Sequence, residues 1–139
     1  MRMRIALFTA GLAALAAPLL LAHHSFDAEF GRDAPVTLKG VVTKVEWMNP
    51  HTWLYIDVTD DKGVVTHWQC EGGSPNQLVR RGWKKDSLKP GDQVIVEGYR
   101  AKDHSNTANA REVRMLDGRK IYSGFAEDAA QPGRDSGNP

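Results

Sequence analysis

The stretch Val41–Val58, VVTKVEWMNPHTWLYIDV, decides the fold. It reads as two strands joined at Met48-Asn49-Pro50-His51. Its second half alternates: Leu54, Ile56 and Val58 point one way, Trp53, Tyr55 and Asp57 the other. Period-2 alternation marks a strand with one face in a core. The opposite face carries two aromatics, so it is more than a wet surface. Pro50 cannot donate to a ladder and pushes Asn49 toward extended backbone, which suits a corner. His51 then sits at the tip between two long strands.

Working back from this hairpin, the first strand is expected to begin near Val36. Leu38, Val41, Val45 and Trp47 read as core-facing, a series that changes phase between Lys39 and Val41. Gly40 at that point predicts a β-bulge. Working forward, Asp60-Asp61-Lys62-Gly63 is a turn. Val64–Cys70 is the third strand, with Val64, Trp68 and Cys70 on one face and His67 and Gln69 on the other.

A short helix follows over residues 74–82, with both ends specified. Ser74 is the N-cap, Pro75 suits the first helical position, and Gln77 completes a capping box. Arg80 and Arg81 lie near the negative end of the helix dipole, and Gly82 suits the left-handed position beyond the C-terminus. Leu78 and Trp83 should plug the helix onto the sheet. Strand four is expected at Gln93–Arg100, with Val94 and Val96 inward and Gly98 allowing a bend. Lys102–Asn109 reads as a polar loop and Ala110–Leu116 as strand five, with Val113 and Met115 inward. Asp117-Gly118 is a hairpin signal, with Arg119–Tyr122 returning as a sixth strand.

A three-strand meander, a short helix and a further strand pair give an all-β chain with one short helix. The order is that of a small OB-like antiparallel β-barrel. The alternative is an open antiparallel sheet with the helix packed on it.

Outside this domain the chain changes character. Residues 1–22 have the form of an export signal: basic Arg2 and Arg4, an apolar run over Ile5–Leu21, then small Ala22 before His23-His24-Ser25. That run, interrupted by Pro18, is short for a membrane span of about 20 apolar residues. Cleavage after Ala22 is therefore expected, with a periplasmic or secreted product and no stable span. Residues 23–35 form an N-terminal arm in which Phe26 and Phe30, four apart, can cover the domain. The domain itself runs over 36–124, and the breaker-rich tail 125–139 is expected to be disordered.

Loss of Arg2 and Arg4 moves the formal charge from +1 to −1. That balance does not favour nucleic acid. The single cysteine, Cys70, has no internal partner, and burial is the commoner state of such a thiol.

Four segments in order carry a resemblance: HHSFDAEF, VEWMNPHTWLYIDV, EGGSPNQLVRRGW and LKPGDQVIVEGYRAKDHSNTANA. Together they resemble a family of short exported bacterial proteins classed as a domain of unknown function, over roughly residues 23–124. The resemblance implies export, a bacterial source and a compact β domain, and it implies no established activity. The family's usual pattern has no cysteine at position 70, which makes Cys70 incidental. More loosely, the layout is similar to periplasmic OB-fold families that are binding modules.

Candidate chemistry begins at the expected mature N-terminus. His23 would present an α-amine and an imidazole in one residue, and His24 adds a second imidazole. Nitrogen ligation of this kind suits Cu(II), and imidazole also serves Zn and Ni. His51 is the candidate third imidazole; its alternative role is a hydrogen bond to a backbone carbonyl. His67 and Cys70 are three apart in a strand and so face opposite ways, against a shared metal.

A second candidate is the surface of Asn49, Trp53, Tyr55 and His67. OB folds bind oligosaccharides or oligonucleotides on the corresponding face, and an exported protein would meet sugar or peptide. The competing expectation is that Phe26 and Phe30 cover Trp53 and Tyr55. Arg80, Arg81, Lys84, Lys85 and Lys89 form a basic cluster able to meet an anionic partner, such as lipid headgroups or an acidic protein, although charge runs generally solvate. His104 reads as a solvated loop residue. Neither G-x-S-x-G nor H-E-x-x-H occurs, and the acidic residues Asp57, Asp60 and Asp61 sit at a strand end and turn. The sequence therefore points to binding, of a metal ion such as copper or of a small ligand or oligosaccharide, ahead of catalysis.

Overall fold

The computed structural model describes residues 26–118 and 120–123. Strand β1 (Phe30–Glu46) bonds antiparallel to two partners in succession. Its first part, through Val41, pairs with β4 (Gln93–Ala101), and Val41–Glu46 pairs with β2 (Trp53–Thr59). β2 continues to β3 (Val65–Glu71), and β4 to β5 (Thr107–Met115). A parallel pairing of β3 with β5, over Gln69–Glu71 and Thr107–Asn109, then joins the two ends. The result is a ring-like sheet in the order β1-β2-β3-β5-β4, which leaves these strands few free edges. The β3–β5 pairing distinguishes this arrangement from an open sheet. β6 (Lys120–Ser123) adds to β5 outside the ring.

Two short helices accompany the strands. α1 (Phe26–Glu29) lies in the expected N-terminal arm, for which no helix was foreseen. The strand after it also begins earlier than Val36, because Phe30 already pairs with Ala101. Helix α2 (Pro75–Arg80) matches its sequence signals in detail. The Ser74 side chain accepts from the Gln77 N–H, Gln77 Oε1 accepts from the Ser74 N–H, and Gly82 takes φ +91°. Leu78 and Trp83 are buried with the strand residues, so the helix is held by its apolar side.

The inner face is filled by Leu38, Val42, Leu54, Ile56, Cys70, Val94, Val96, Ala108, Ala110 and Val113. In β1 one expected core position is wrong: Val41 is 41% exposed and Val42 is 1% exposed. The inward series runs in phase through Leu38, Gly40 and Val42. The irregularity falls between Val42 and Lys44, at Thr43, after which Val45 and Trp47 pack inward. Gly40 therefore serves a different purpose. A Cβ there would lie 2.6 Å from the Asp57 carbonyl oxygen, so the β1–β2 crossing needs its absence.

Gly98 has the same role at the expected bend. The β4–β5 register slips between Glu97 and Gly98, and a Cβ on Gly98 would lie 2.0 Å from the Asn109 carbonyl oxygen. Strand β5 starts at Thr107 instead of Ala110, because its first three residues pair with β3. Val64 is exposed and lies outside β3, so it does not share the core face with Trp68 and Cys70. The expected signal and tail, residues 1–22 and 125–139, lie outside the described residues, as do His23 and His24. No helix among the described residues is long and apolar enough to cross a membrane.

Candidate functional site

Alternation along β2 and β3 assigns each candidate to a face. Leu54, Ile56 and Cys70 turn inward, so Trp53, Tyr55, Asp57, His67, Gln69 and Glu71 turn outward. Register arranges the outer face in rows. Trp53 lies opposite Glu46 on β1 and Glu71 on β3; Glu71 in turn lies opposite Asn109 on β5, and Asn109 opposite Tyr99 on β4. The next row is Lys44, Tyr55, Gln69 and Thr107, and below it Asp57 faces His67.

Each row carries polar cross-strand contacts. The Tyr55 hydroxyl donates to Glu46 Oε2 at 2.8 Å, and Lys44 bonds the other oxygen of the same carboxylate. Lys44 also lies 5.2 Å from the Tyr55 ring centroid. The ammonium of Lys44, then the Tyr55 hydroxyl, hold the Glu46 carboxyl below its usual range. Burial, then the bond to Glu46, push the Tyr55 phenol up. Gln69 Nε2 donates to Thr107 Oγ1 at 2.9 Å. His67 Nδ1 lies 2.6 Å from Asp57 Oδ1, and its ring is otherwise open, with the side chain 83% exposed.

His51 stands at the end of this face, in the corner that follows the cis Asn49–Pro50 peptide. The corner is tied to the β3–α2 connection: the Thr52 N–H donates to Gly73 O, and the Gly72 N–H to Thr52 O. His51 Nδ1 lies 3.1 Å from Gly72 O and 3.3 Å from Glu71 Oε1. A carbonyl oxygen only accepts, so Nδ1 carries the proton in that bond, and in the neutral ring the lone pair is then on Nε2. The carbonyl contact is the structural role foreseen for His51. It is also the arrangement that orients a ligating imidazole.

The structure thus brings Trp53, Tyr55 and His67 onto one face and sets His51 at its margin. Asn49 is exposed in the corner, four positions before Trp53, and does not share that face's rows. His67 and Cys70 face opposite ways as expected. Burial drives the Cys70 thiol up to about 12, so it is a core group with no thiolate chemistry near neutrality. Among the described residues, no three His, Cys, Asp or Glu side chains gather to hold a metal ion.

The arm does not cover Trp53 and Tyr55 through its phenylalanines. Phe26 stacks on Phe30 at 5.6 Å and meets the Tyr99 ring edge-on at 5.5 Å. Tyr99 is three strands round the ring from Trp53, with β3 and β5 between them. Glu71 and Asn109 were missed as site residues. Glu71 was left outside the third strand, which was expected to end at Cys70, and Asn109 was read as loop. The available signal was the period-2 series His67, Gln69, Glu71, which extends β3 by one outward residue.

Comparison with curated proteins finds no match to the chain. A family model does match, over residues 11–110, which takes in the helix and the whole ring as far as the middle of β5. The chain belongs to that family, DUF6152, a family of unknown function.

Proposed function

We propose that this is an exported, non-enzymatic metal-binding protein, with copper as its ion and His23, His24 and His51 as its ligands. Export to the periplasm or beyond rests on the basic Arg2 and Arg4, the apolar run after them, and Ala22 before the histidine pair. Cleavage there gives His23 a free α-amine.

The observation that carries the reading is the bond between His51 Nδ1 and Gly72 O, supported by Glu71 Oε1. It presents Nε2 as a lone-pair donor at the margin of the outer face. Ligating histidines characteristically bond a carbonyl or carboxylate through the other ring nitrogen. Copper(II) bound to such nitrogen donors would be stabilised by the neutral imidazole and the free amine. The test has two parts. Mass spectrometry of the exported chain should show His23 as its first residue. Copper titration of His23→Ala should then show weakened binding; unchanged affinity excludes His23.

A second reading has its own observation. Trp53, Tyr55, His67 and Gln69 share the outer face with cross-strand polar pairs, a surface suited to a sugar or a peptide. Glycan and peptide screening of the metal-free chain tests it. Loss of a detected ligand in Trp53→Ala supports this face, and retention removes it. A structural role in the cell envelope would leave both screens empty.

A further inference from the structure

We infer that two copies of this chain pair edge to edge through β3, antiparallel and about a two-fold axis at Thr66. The pairing goes beyond the proposed metal site and uses none of its ligands.

The first argument is an open edge. β3 pairs along its whole length with β2, but on its other side only Gln69–Glu71 pair with β5. Among the described residues, Val65–Trp68 therefore have one side without a strand. Alternation decides which backbone groups face it. The Asp60 N–H donates to Val64 O and the Gly72 N–H to Thr52 O, so the even-numbered residues of β3 turn their groups toward β2. The Gln69 N–H donates the other way, to Asn106 O. Val65 and His67 share its parity, so their N–H and C=O groups point out from the open side. Lys and Pro, which commonly blunt such an edge, are absent from Val64-Val65-Thr66-His67-Trp68. Its β-branched and aromatic residues favour strand, and Val64, Val65 and His67 are exposed.

The second argument is self-complementarity in a single register. Val65 set against the partner's His67 lets the two residues exchange N–H···O bonds on each side of the axis, which uses every open group. An axis at Val65 would call on the Gly63 N–H, already given to Asp60 O. An axis at His67 would call on the Gln69 N–H, already given to Asn106 O. The third argument is charge. Antiparallel pairing brings the partner's turn, net acidic over Asp60-Asp61-Lys62, beside the Trp68 end of the edge. Arg100 lies there, 5.2 Å from the Trp68 ring centroid, and Arg100, Lys102 and Asp103 are net basic. The two-fold axis makes this complementary contact at both ends.

Sedimentation of the metal-free chain beginning at His23, over a concentration series, tests the pairing. The mass should double as concentration rises. Val65→Lys puts a charge on the edge, leaves the ladder to β2 intact and should lose the dimer, with an unchanged circular dichroism spectrum reporting its fold. Thr66→Cys gives a second readout. Thr66 faces the partner's Thr66 as a pair without backbone bonds, with Cα atoms ~4.5 Å apart, within disulfide reach. Oxidised glutathione should therefore link Thr66→Cys into a dimer and leave Asp61→Cys, which lies off the axis, largely unlinked. A chain that stays monomeric throughout would overturn the inference and leave the edge to an extended segment of another protein. A dimer that persists in folded Val65→Lys, or a Thr66→Cys chain that links no more than Asp61→Cys, would also overturn it, because the copies then meet elsewhere.

Discussion

His51 and Glu71 meet at the margin of the outer face, with Nδ1 3.3 Å from Oε1 and the same nitrogen 3.1 Å from the Gly72 carbonyl oxygen. They are 20 positions apart in sequence, and two backbone bonds between the Thr52 corner and the Gly72-Gly73 connection bring them together. The carboxylate supports the ring from behind, so its contribution is orientation of Nε2.

Glu71→Gln keeps the shape of this contact and removes its charge. If His51 ligates copper, the substitution should weaken binding about 10–100-fold, the usual effect of losing a ligand's outer partner. Titration at constant pH with a folded control reads it directly. Unchanged affinity would leave His51 with its structural bond alone.

The glycines give a stability prediction with an internal control. Gly98→Ala places a methyl group 2.0 Å from the Asn109 carbonyl oxygen, and that obstacle is backbone. Strand separation should cost about 3 kcal/mol or more. Gly63→Ala meets nothing within 4 Å and strains only its φ of +81°, for about 1–2 kcal/mol. Urea unfolding of the two variants should rank them in that order.

Helix α2 separates a core contribution from a local one. Leu78 is 1% exposed, so Leu78→Ala should cost about 2–5 kcal/mol through the cavity left behind. Ser74→Ala removes a cap for about 1 kcal/mol. Equal losses would mean that the helix does not plug the ring.

How much of this was legible in the sequence follows from the range of the interactions. Helix α2 depends on residues within eight positions of each other, Ser74, Pro75, Gln77 and Gly82, and its ends were readable. The hairpin core of Leu54 and Ile56 was readable from alternation. The start of β5 was not, because Thr107-Ala108-Asn109 has little strand character and is extended through a parallel pairing with Gln69–Glu71. Gly40 misled for a related reason. A glycine in a strand signals a bulge or a close approach, and only the crossing of Asp57 over β1 shows which. The outer site shares this limit: Glu71 and Asn109 become neighbours only when the ring closes.

Cys70 supplies a pH dependence. Its thiol is raised in the folded chain from an ordinary 9.0 to about 12 by burial. A group raised in the folded state contributes stability that is complete below its unfolded value and lost as pH rises through the folded one. Stability should therefore fall between about pH 9 and 12 in the wild type, and less steeply in Cys70→Ala. Thiol reagents at pH 8 should not modify Cys70 until the chain unfolds.

We propose that His51 Nε2 would ligate a copper ion held by the mature N-terminus. Pulsed electron paramagnetic resonance of the Cu(II)-loaded chain beginning at His23 addresses it most directly, comparing wild type with His51→Gln. The account predicts that the remote-nitrogen modulation of one imidazole disappears in the variant while the fold persists. An identical spectrum from a folded His51→Gln chain would contradict it.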